Sequence, residues 1–187
     1  MHILRKFSDL VDALNDRIGV VIRWMALIMV VVGAVSAVVR YFARSQGWTL
    51  NLTPATEMQW YLFSIIFLMG AAYGLRHDVH VRVDVMYERM PPKVQAWVDL
   101  VGTILFLLPF SFMMLYVSYP AVRSSWDIRE TSPDPGGLAR WPIKMLIIVS
   151  FALLVLQGLS QLVKQIDVIR GTASELDHHE GEAEAHA

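Results

Sequence analysis

Four long stretches without a charged residue constrain this chain more than any other feature. Sixteen residues separate Arg23 from Arg40, eighteen separate Glu57 from Arg76, twenty-three separate Asp99 from Arg123, and nineteen separate Lys144 from Lys164. A helix rising ~1.5 Å per residue needs ~20 residues to cross ~30 Å of hydrocarbon. The last three runs meet that length unaided. The first meets it when Arg23 and Arg40 sit at the two interfaces and extend their guanidinium groups toward water. A soluble domain of 187 residues would also carry more than 18% charged residues and would distribute its apolar residues periodically rather than in blocks. The expected fold is an all-α membrane protein with four transmembrane helices, at residues 20–42, 57–75, 93–118 and 141–164. The first run is long and preceded by acidic residues, which favours a retained anchor over a cleaved signal peptide.

The segments between the spans differ in character. Residues 1–19 place Ile3, Phe7, Leu10, Val11, Leu14 and Ile18 at three- and four-residue steps, the period of an amphipathic helix. Such a helix either lies in the interface or extends the first span beyond it. Gly33 and Ala37 form a small-xxx-small pair in the first span, and Gly70 and Gly74 form another in the second. Pro54 and Thr56 suit a helix start, with Thr56 as N-cap. Glu57 then reads either as a cap or interface anchor, or as a buried contact to another helix or subunit. Pro91 and Pro92 open the third span, and Pro109 should kink it or break a hydrogen bond within it. Gly102 and Thr103 suggest a close helix contact. Residues 119–142 form the longest loop. Its SPDPGG sequence combines fixed-φ prolines, permissive glycines and a self-bonding aspartate, so a compact loop is expected. Residues 165–187 form an acidic, His-containing tail expected to be disordered.

Residues 70–84, GAAYGLRHDVHVRVD, pass from helix end to a charged elbow within a few positions. The alternation of Val79, Val81, Val83 and Val85 gives a short extended turn, followed by an interface helix at 84–90. His77 and His80 beside Asp78 and Asp84 do not make a metal site without a fixed third ligand, so salt bridges and caps at the membrane surface are the expected use of these side chains. Ten Lys and Arg residues flank the spans on the side of the termini and elbow, and five flank them on the other. That asymmetry places both termini and the elbow in the cytoplasm, an N-in/C-in topology, with the SPDPGG loop outside.

Several function classes are excluded by residue type. There is no cysteine, hence no thiolate metal site or iron–sulfur cluster. None of the six histidines lies within a span, which removes axial haem ligands. The span serines have no His or Lys at comparable depth for an intramembrane protease. No glycine-rich phosphate loop is present. The net charge of −1 gives no reason to expect nucleic acid. No ionisable group occupies a span centre and no internal repeat is visible, as an autonomous transporter would require. The expectation is therefore no enzyme, no cofactor, no metal and no substrate-binding residue, but a scaffold or partner subunit.

The residues quoted above resemble the small membrane subunit of the tripartite ATP-independent periplasmic (TRAP) transporters, the DctQ family. The resemblance rests on Glu57 at the start of the second span, GAAY at 70–73, LRHD at 75–78, HVRVD at 80–84, and the Trp-flanked loop SWDIRETSPDPGGLARWPIK at 125–144. It implies a multi-pass protein of the bacterial inner membrane. Its partners would be a large multi-spanning permease subunit that holds the substrate and ion sites, a periplasmic substrate-binding protein, and membrane lipid. An ion gradient would drive uptake of an organic acid, with the small subunit extending the static scaffold. On this basis Glu57, Ser64, Gly70 and Gly74 would face the large subunit, and Arg76, His80, Arg82 and Asp84 would hold the elbow against it or against headgroups. Trp126, Asp134, Gly136, Gly137 and Trp141 would shape the outer loop and meet the binding protein. For each residue, packing within this chain is the competing use. The rival function is a free-standing four-helix anchor or assembly subunit of another membrane complex.

Overall fold

The computed structural model describes residues 2–77, 87 and 89–171. Its helices are α1 (His2–Ser45), α2 (Thr53–Arg76), α3 (Pro92–Gly102), α4 (Leu108–Asp127) and α5 (Trp141–Arg170), with a π-helical turn at Thr103–Leu107 joining α3 to α4. Four helical rods are long and apolar enough to cross a membrane: Leu4–Ser45, Thr53–Arg76, Pro92–Asp127 and Trp141–Arg170. The only β pairing among the described residues is a single bridge between Thr131 and Ala139.

The long helix α5 is the hub. It packs against α1, α2, α3 and α4, while α1 packs mainly on α2. The apolar stretches of α2 and α5 are accordingly the more enclosed, and those of α1 and α3–α4 present most of their surface outward. Exposed Val, Leu and Phe residues on the outer rods belong in lipid rather than in a core.

The amphipathic N-terminal segment is continuous with the first span. At 44 residues, α1 is ~66 Å long, about twice the hydrocarbon thickness. One polar stripe of this segment, Ser8, Asp12 and Asn15, is turned onto α5, while Lys6, Asp9 and Arg17 are exposed. The helix α2 starts at Thr53, earlier than the Thr56 cap would place it. Asn51 Oδ1 accepts from the Thr53 amide at 3.0 Å, and Pro54 follows in the first turn. Thr56 instead bonds back to the Leu52 carbonyl at 3.2 Å.

The disturbance expected at Pro109 takes the form of the π turn. The Leu108 amide reaches back five residues to the Thr103 carbonyl, a register that accommodates the donor missing at Pro109. Thr103 is buried there, whereas Gly102 has open space where a Cβ would stand. The third rod then continues through Pro120 to Asp127, nine residues past the expected end of the span. Nothing in 119–127 supplies turn chemistry beyond Pro120 itself, and Val122 and Ser125 are buried on the continuing face. The outer loop is thus shorter than 119–142. At the other end, 165–170 is not part of a disordered tail. The helix α5 runs to Arg170, Arg5 pairs with Asp167 at 2.7 Å, and Gly171 closes the helix with φ +78°. The valine alternation at 79–85, most of the expected interface helix at 84–90, and the tail beyond Gly171 lie outside the described residues.

Candidate functional site

The polar side chains that the sequence scatters along separate helices gather into two clamps, one at each end of the bundle. The elbow-end clamp joins α1, α2 and α5. Ser8, Asp12 and Asn15 fall on one face of α1 because they are spaced by three and four residues. Opposite them, Gln157, Ser160 and Lys164 share a face of α5 by the same spacing. Asn15 Nδ2 donates to Gln157 Oε1 at 2.6 Å, and Gln157 Nε2 donates to Asp12 Oδ1 at 3.1 Å. Ser160 Oγ donates to the same Asp12 oxygen at 3.1 Å and lies 2.6 Å from Ser8 Oγ. Lys164 Nζ binds the other Asp12 oxygen. Asn15, Gln157 and Ser160 have no exposed surface at all. Buried polar groups are costly unless partnered, and here almost every one is partnered by another helix.

Arg76, the last residue of α2, completes this clamp. Its Nη2 lies 2.7 Å from Asp16 and its Nε 4.0 Å from Asp12. His77 Nε2 meets the other Asp16 oxygen at 3.0 Å. Gln161 donates to the Leu75 carbonyl at 3.0 Å, holding the end of α2 to α5. The return from the elbow is held as well: Tyr87 donates to Asp99 at 2.6 Å, and Gln95 donates to the Tyr87 and Met90 carbonyls.

The second clamp ties α2 to the outer loop. Glu57 is 5% exposed. One of its oxygens accepts from Ser132 Oγ, the other from the Leu138 amide at 2.5 Å. Tyr61, one turn on, donates to the Ala139 carbonyl at 2.5 Å. The loop that Glu57 grips is folded on itself through Ser132 N to Leu138 O at 2.9 Å, Gly137 N to Asp134 O at 3.0 Å, and Arg140 N to Glu130 O at 2.8 Å. Glycine is required twice. Gly136 has φ +77°. A Cβ on Gly137 would stand 2.4 Å from the Ser132 Cβ and 2.8 Å from the Glu57 carboxylate. Trp126 and Trp141 meet edge to face at 4.7 Å, with the Arg129 guanidinium over both rings at 4.3 and 4.7 Å. Lys144 binds Glu130 and holds its carboxyl below the usual carboxylate range, aided by the charge of Arg140.

The geometry sorts the residues singled out from sequence. Glu57 and Arg76 are turned inward, bound to this chain's own loop and α1, rather than presented to a neighbour. Gly74 is buried within the bundle. Gly70 faces open space and remains available to another helix. Ser64 is half-buried beside a small cavity shared with Glu57, Arg140 and Lys144. Asp134, Gly136 and Gly137 lie in the folded loop, and Trp126 at the end of α4 meets Trp141 at the start of α5. His80, Arg82 and Asp84 lie outside the described residues. Sequence reading missed Asp12, Asn15, Gln157 and Ser160. Their signal was a polar three–four stripe on α1 matched by one on α5. It also missed Gly19 and Gly158, lone glycines where helices touch. A Cβ on Gly19 would stand 2.3 Å from the Tyr73 ring, and one on Gly158 2.8 Å from Leu107 in the π turn.

In each clamp the carboxylate that meets a serine hydroxyl is also bound by other donors of the chain, and among the described residues no three metal-ligating side chains converge. What this arrangement does is hold helices in fixed register. The family model described as "Tripartite ATP-independent periplasmic transporters, DctQ component" matches residues 29–168, three quarters of the chain. The chain belongs to the DctQ family. Among curated relatives it is similar to a C4-dicarboxylate TRAP transporter small permease protein DctQ from Pseudomonas aeruginosa, at 29% identity over 121 residues, 60% of this chain and 57% of the relative. The chain thus aligns with little more than half the relative's length. No solved structure matches. Within the DctQ match lie the Glu57 clamp, Arg76 and the α5 half of the elbow clamp. Ser8, Asp12 and Asn15 precede it.

Proposed function

We propose that this protein is the small permease subunit of a TRAP-type secondary transporter in the bacterial inner membrane. It would serve as a rigid scaffold for a large multi-spanning permease, which receives an organic acid from a periplasmic binding protein and imports it with an ion gradient. Family membership supports the assembly. The relative from Pseudomonas aeruginosa, a C4-dicarboxylate transporter subunit, supports a carboxylate as cargo. The observation that carries the scaffold role is the pair of clamps, one among α1, α2 and α5 and one between α2 and the outer loop. The two carboxylates buried among the described residues are both committed to bonds within this chain, Asp12 to α5 and Glu57 to the outer loop. An even number of spans puts both termini on one side, and the excess of Lys and Arg makes that side cytoplasmic. The tethered outer loop then faces the periplasm, where the binding protein docks. Gly70 and Ser64 on α2, and Arg82 with its neighbours at the elbow, are the contacts assigned to the large subunit.

The test is reconstitution. Proteoliposomes holding the large permease alone should bind the loaded binding protein poorly and show little uptake. Adding this chain should restore both. Full uptake by the large permease alone would remove the scaffold role. Reporter fusions after Arg170 should lie in the cytoplasm, and a periplasmic signal would reverse the topology. Arg82→Ala should weaken copurification of the two subunits, and undiminished copurification with normal uptake would take the elbow out of the interface.

A further inference from the structure

We propose that the cleft between α1 and α2 at the outer-loop end is a binding site for one membrane phospholipid, whose phosphate is held by Arg40 and Arg44. This site is separate from both clamps and does not depend on the transport reading. Two cavities of about 570 and 460 Å³ adjoin there and share Arg40, Arg44 and Thr56 as lining residues. The two arginines are four residues apart and therefore project from one face of α1, where like charges repel. Arg40 reaches Thr56 Oγ1 at 3.5 Å, and among the described residues neither guanidinium has a carboxylate within ion-pair distance. Glu57, on the same wall, has both oxygens occupied by Ser132 and Leu138. A phosphodiester monoanion relieves the repulsion and matches the guanidinium fork. The first turn of α2 lines the same space and adds the positive end of its dipole.

The shape selects a lipid over a free anion. The lower cavity continues from Arg44 down to Gly33 along Ser36, Ala37 and Gln59. Eleven residues of helix span ~16 Å, about one leaflet of a ~30 Å core. Ser36 and Gln59 turn their donors onto their own helix, to Val32 O at 2.6 Å and Ala55 O at 3.3 Å. Exposed Ala37 leaves room for an acyl chain along this wall, and the Gln59 amide packs against Gly33 at its lower end. Around the upper cavity Trp48 and Trp60 are 66% and 64% exposed, as interfacial aromatics are. Asp134 also lines the upper cavity. It repels a second negative charge and favours a headgroup that carries an ammonium, so a phosphoethanolamine lipid fits better than a dicarboxylate.

Native mass spectrometry of the full-length chain, purified in mild detergent and delipidated, reads this directly on adding back phosphatidylethanolamine. Wild type should retain one lipid, and neither inorganic phosphate nor succinate should displace it. Arg40→Gln with Arg44→Gln should reduce the bound fraction about tenfold, while the Lys/Lys pair should keep most of it. Both side chains are exposed, and the 3.5 Å contact of Arg40 with Thr56 is the one hydrogen bond to another helix that either makes among the described residues, so helicity by circular dichroism should be unchanged. Ala37→Phe, which fills the tail groove and leaves both arginines in the chain, should cause a comparable loss and decides the matter if the double variant misfolds. Equal retention by the glutamine pair or by Ala37→Phe, or displacement by phosphate or succinate, overturns the site.

Discussion

At the scale of single residues, Glu57 shows how a charged side chain becomes tolerable at the end of a membrane helix. A carboxylate at that depth is costly when alone, but here both oxygens accept bonds from one loop. Replacing it with Ala would strand the Leu138 amide and the Ser132 hydroxyl, so Glu57→Ala should release the loop and expose it to protease, while Glu57→Gln should be milder. Gly137→Ala should give the same release by steric means, because its Cβ would collide with Ser132. Limited proteolysis of the two variants against wild type compares them, and equal resistance of Gly137→Ala would show that the loop has room to spare. Within the elbow clamp, Gln157→Leu would leave Asn15 and Asp12 each short of a buried partner. A loss of about 1–3 kcal/mol is expected for a group stranded in this way, seen as a lower denaturation midpoint in detergent. An unchanged midpoint would mean that water replaces the amide. Glu57 was visible in the sequence as an acid at a helix start, but its partners were not. Ser132 and Leu138 lie 75 and 81 positions away, and nothing in either segment encodes that distance.

At the scale of elements, the four rods followed from the lengths of their uncharged runs, because hydrocarbon thickness sets a length that chance composition rarely meets. Their ends did not follow. Absence of charge marks where a helix leaves lipid, not where it stops. Thus the third rod runs beyond Ser118 to Asp127 and α5 continues past Lys164 to Arg170, whereas the extension of α1 below Arg23 was one of the two uses open to the periodicity of residues 1–19. The compact loop was legible from SPDPGG, since proline and glycine restrict the backbone wherever they occur. The π turn was legible only as a disturbance near Pro109, because its partner is a lone glycine, Gly158, on another helix. Gly158→Val should overpack Leu107 and Leu108 against the turn, at a cost of about 1–3 kcal/mol. A smaller effect for Val at Gly102, which faces open space, is the control. The outer loop should also respond to acid. Glu130 has its carboxyl held below the ordinary range by Lys144, so its contribution is complete above the unfolded carboxylate range and is lost as pH falls through the lowered value. Tryptophan fluorescence from Trp126 and Trp141 should report the change. In Lys144→Met it should shift to higher pH, and an identical acid midpoint in that variant would dissociate the loop from this ion pair.

For the whole molecule, the central claim is that the DctQ fold seen here acts as one rigid body. The hub helix α5 is tied to α1 and α2 at the elbow end, and α2 is tied at the other end to the loop that leads into α5. Such a closed circuit of contacts leaves no hinge among these helices. The chain has no native cysteine, so an engineered pair can be crosslinked without competing thiols. Ser8 and Ser160, whose hydroxyls meet at 2.6 Å across the buried α1–α5 contact, are the residues to replace. Uptake should be measured in proteoliposomes containing the Ser8→Cys/Ser160→Cys chain, the large permease and the binding protein, before and after oxidation. A rigid scaffold gives the same rate with the disulfide closed or reduced. A rate that falls on oxidation and recovers with reductant would show that α1 and α5 move against each other during transport, and would contradict the account.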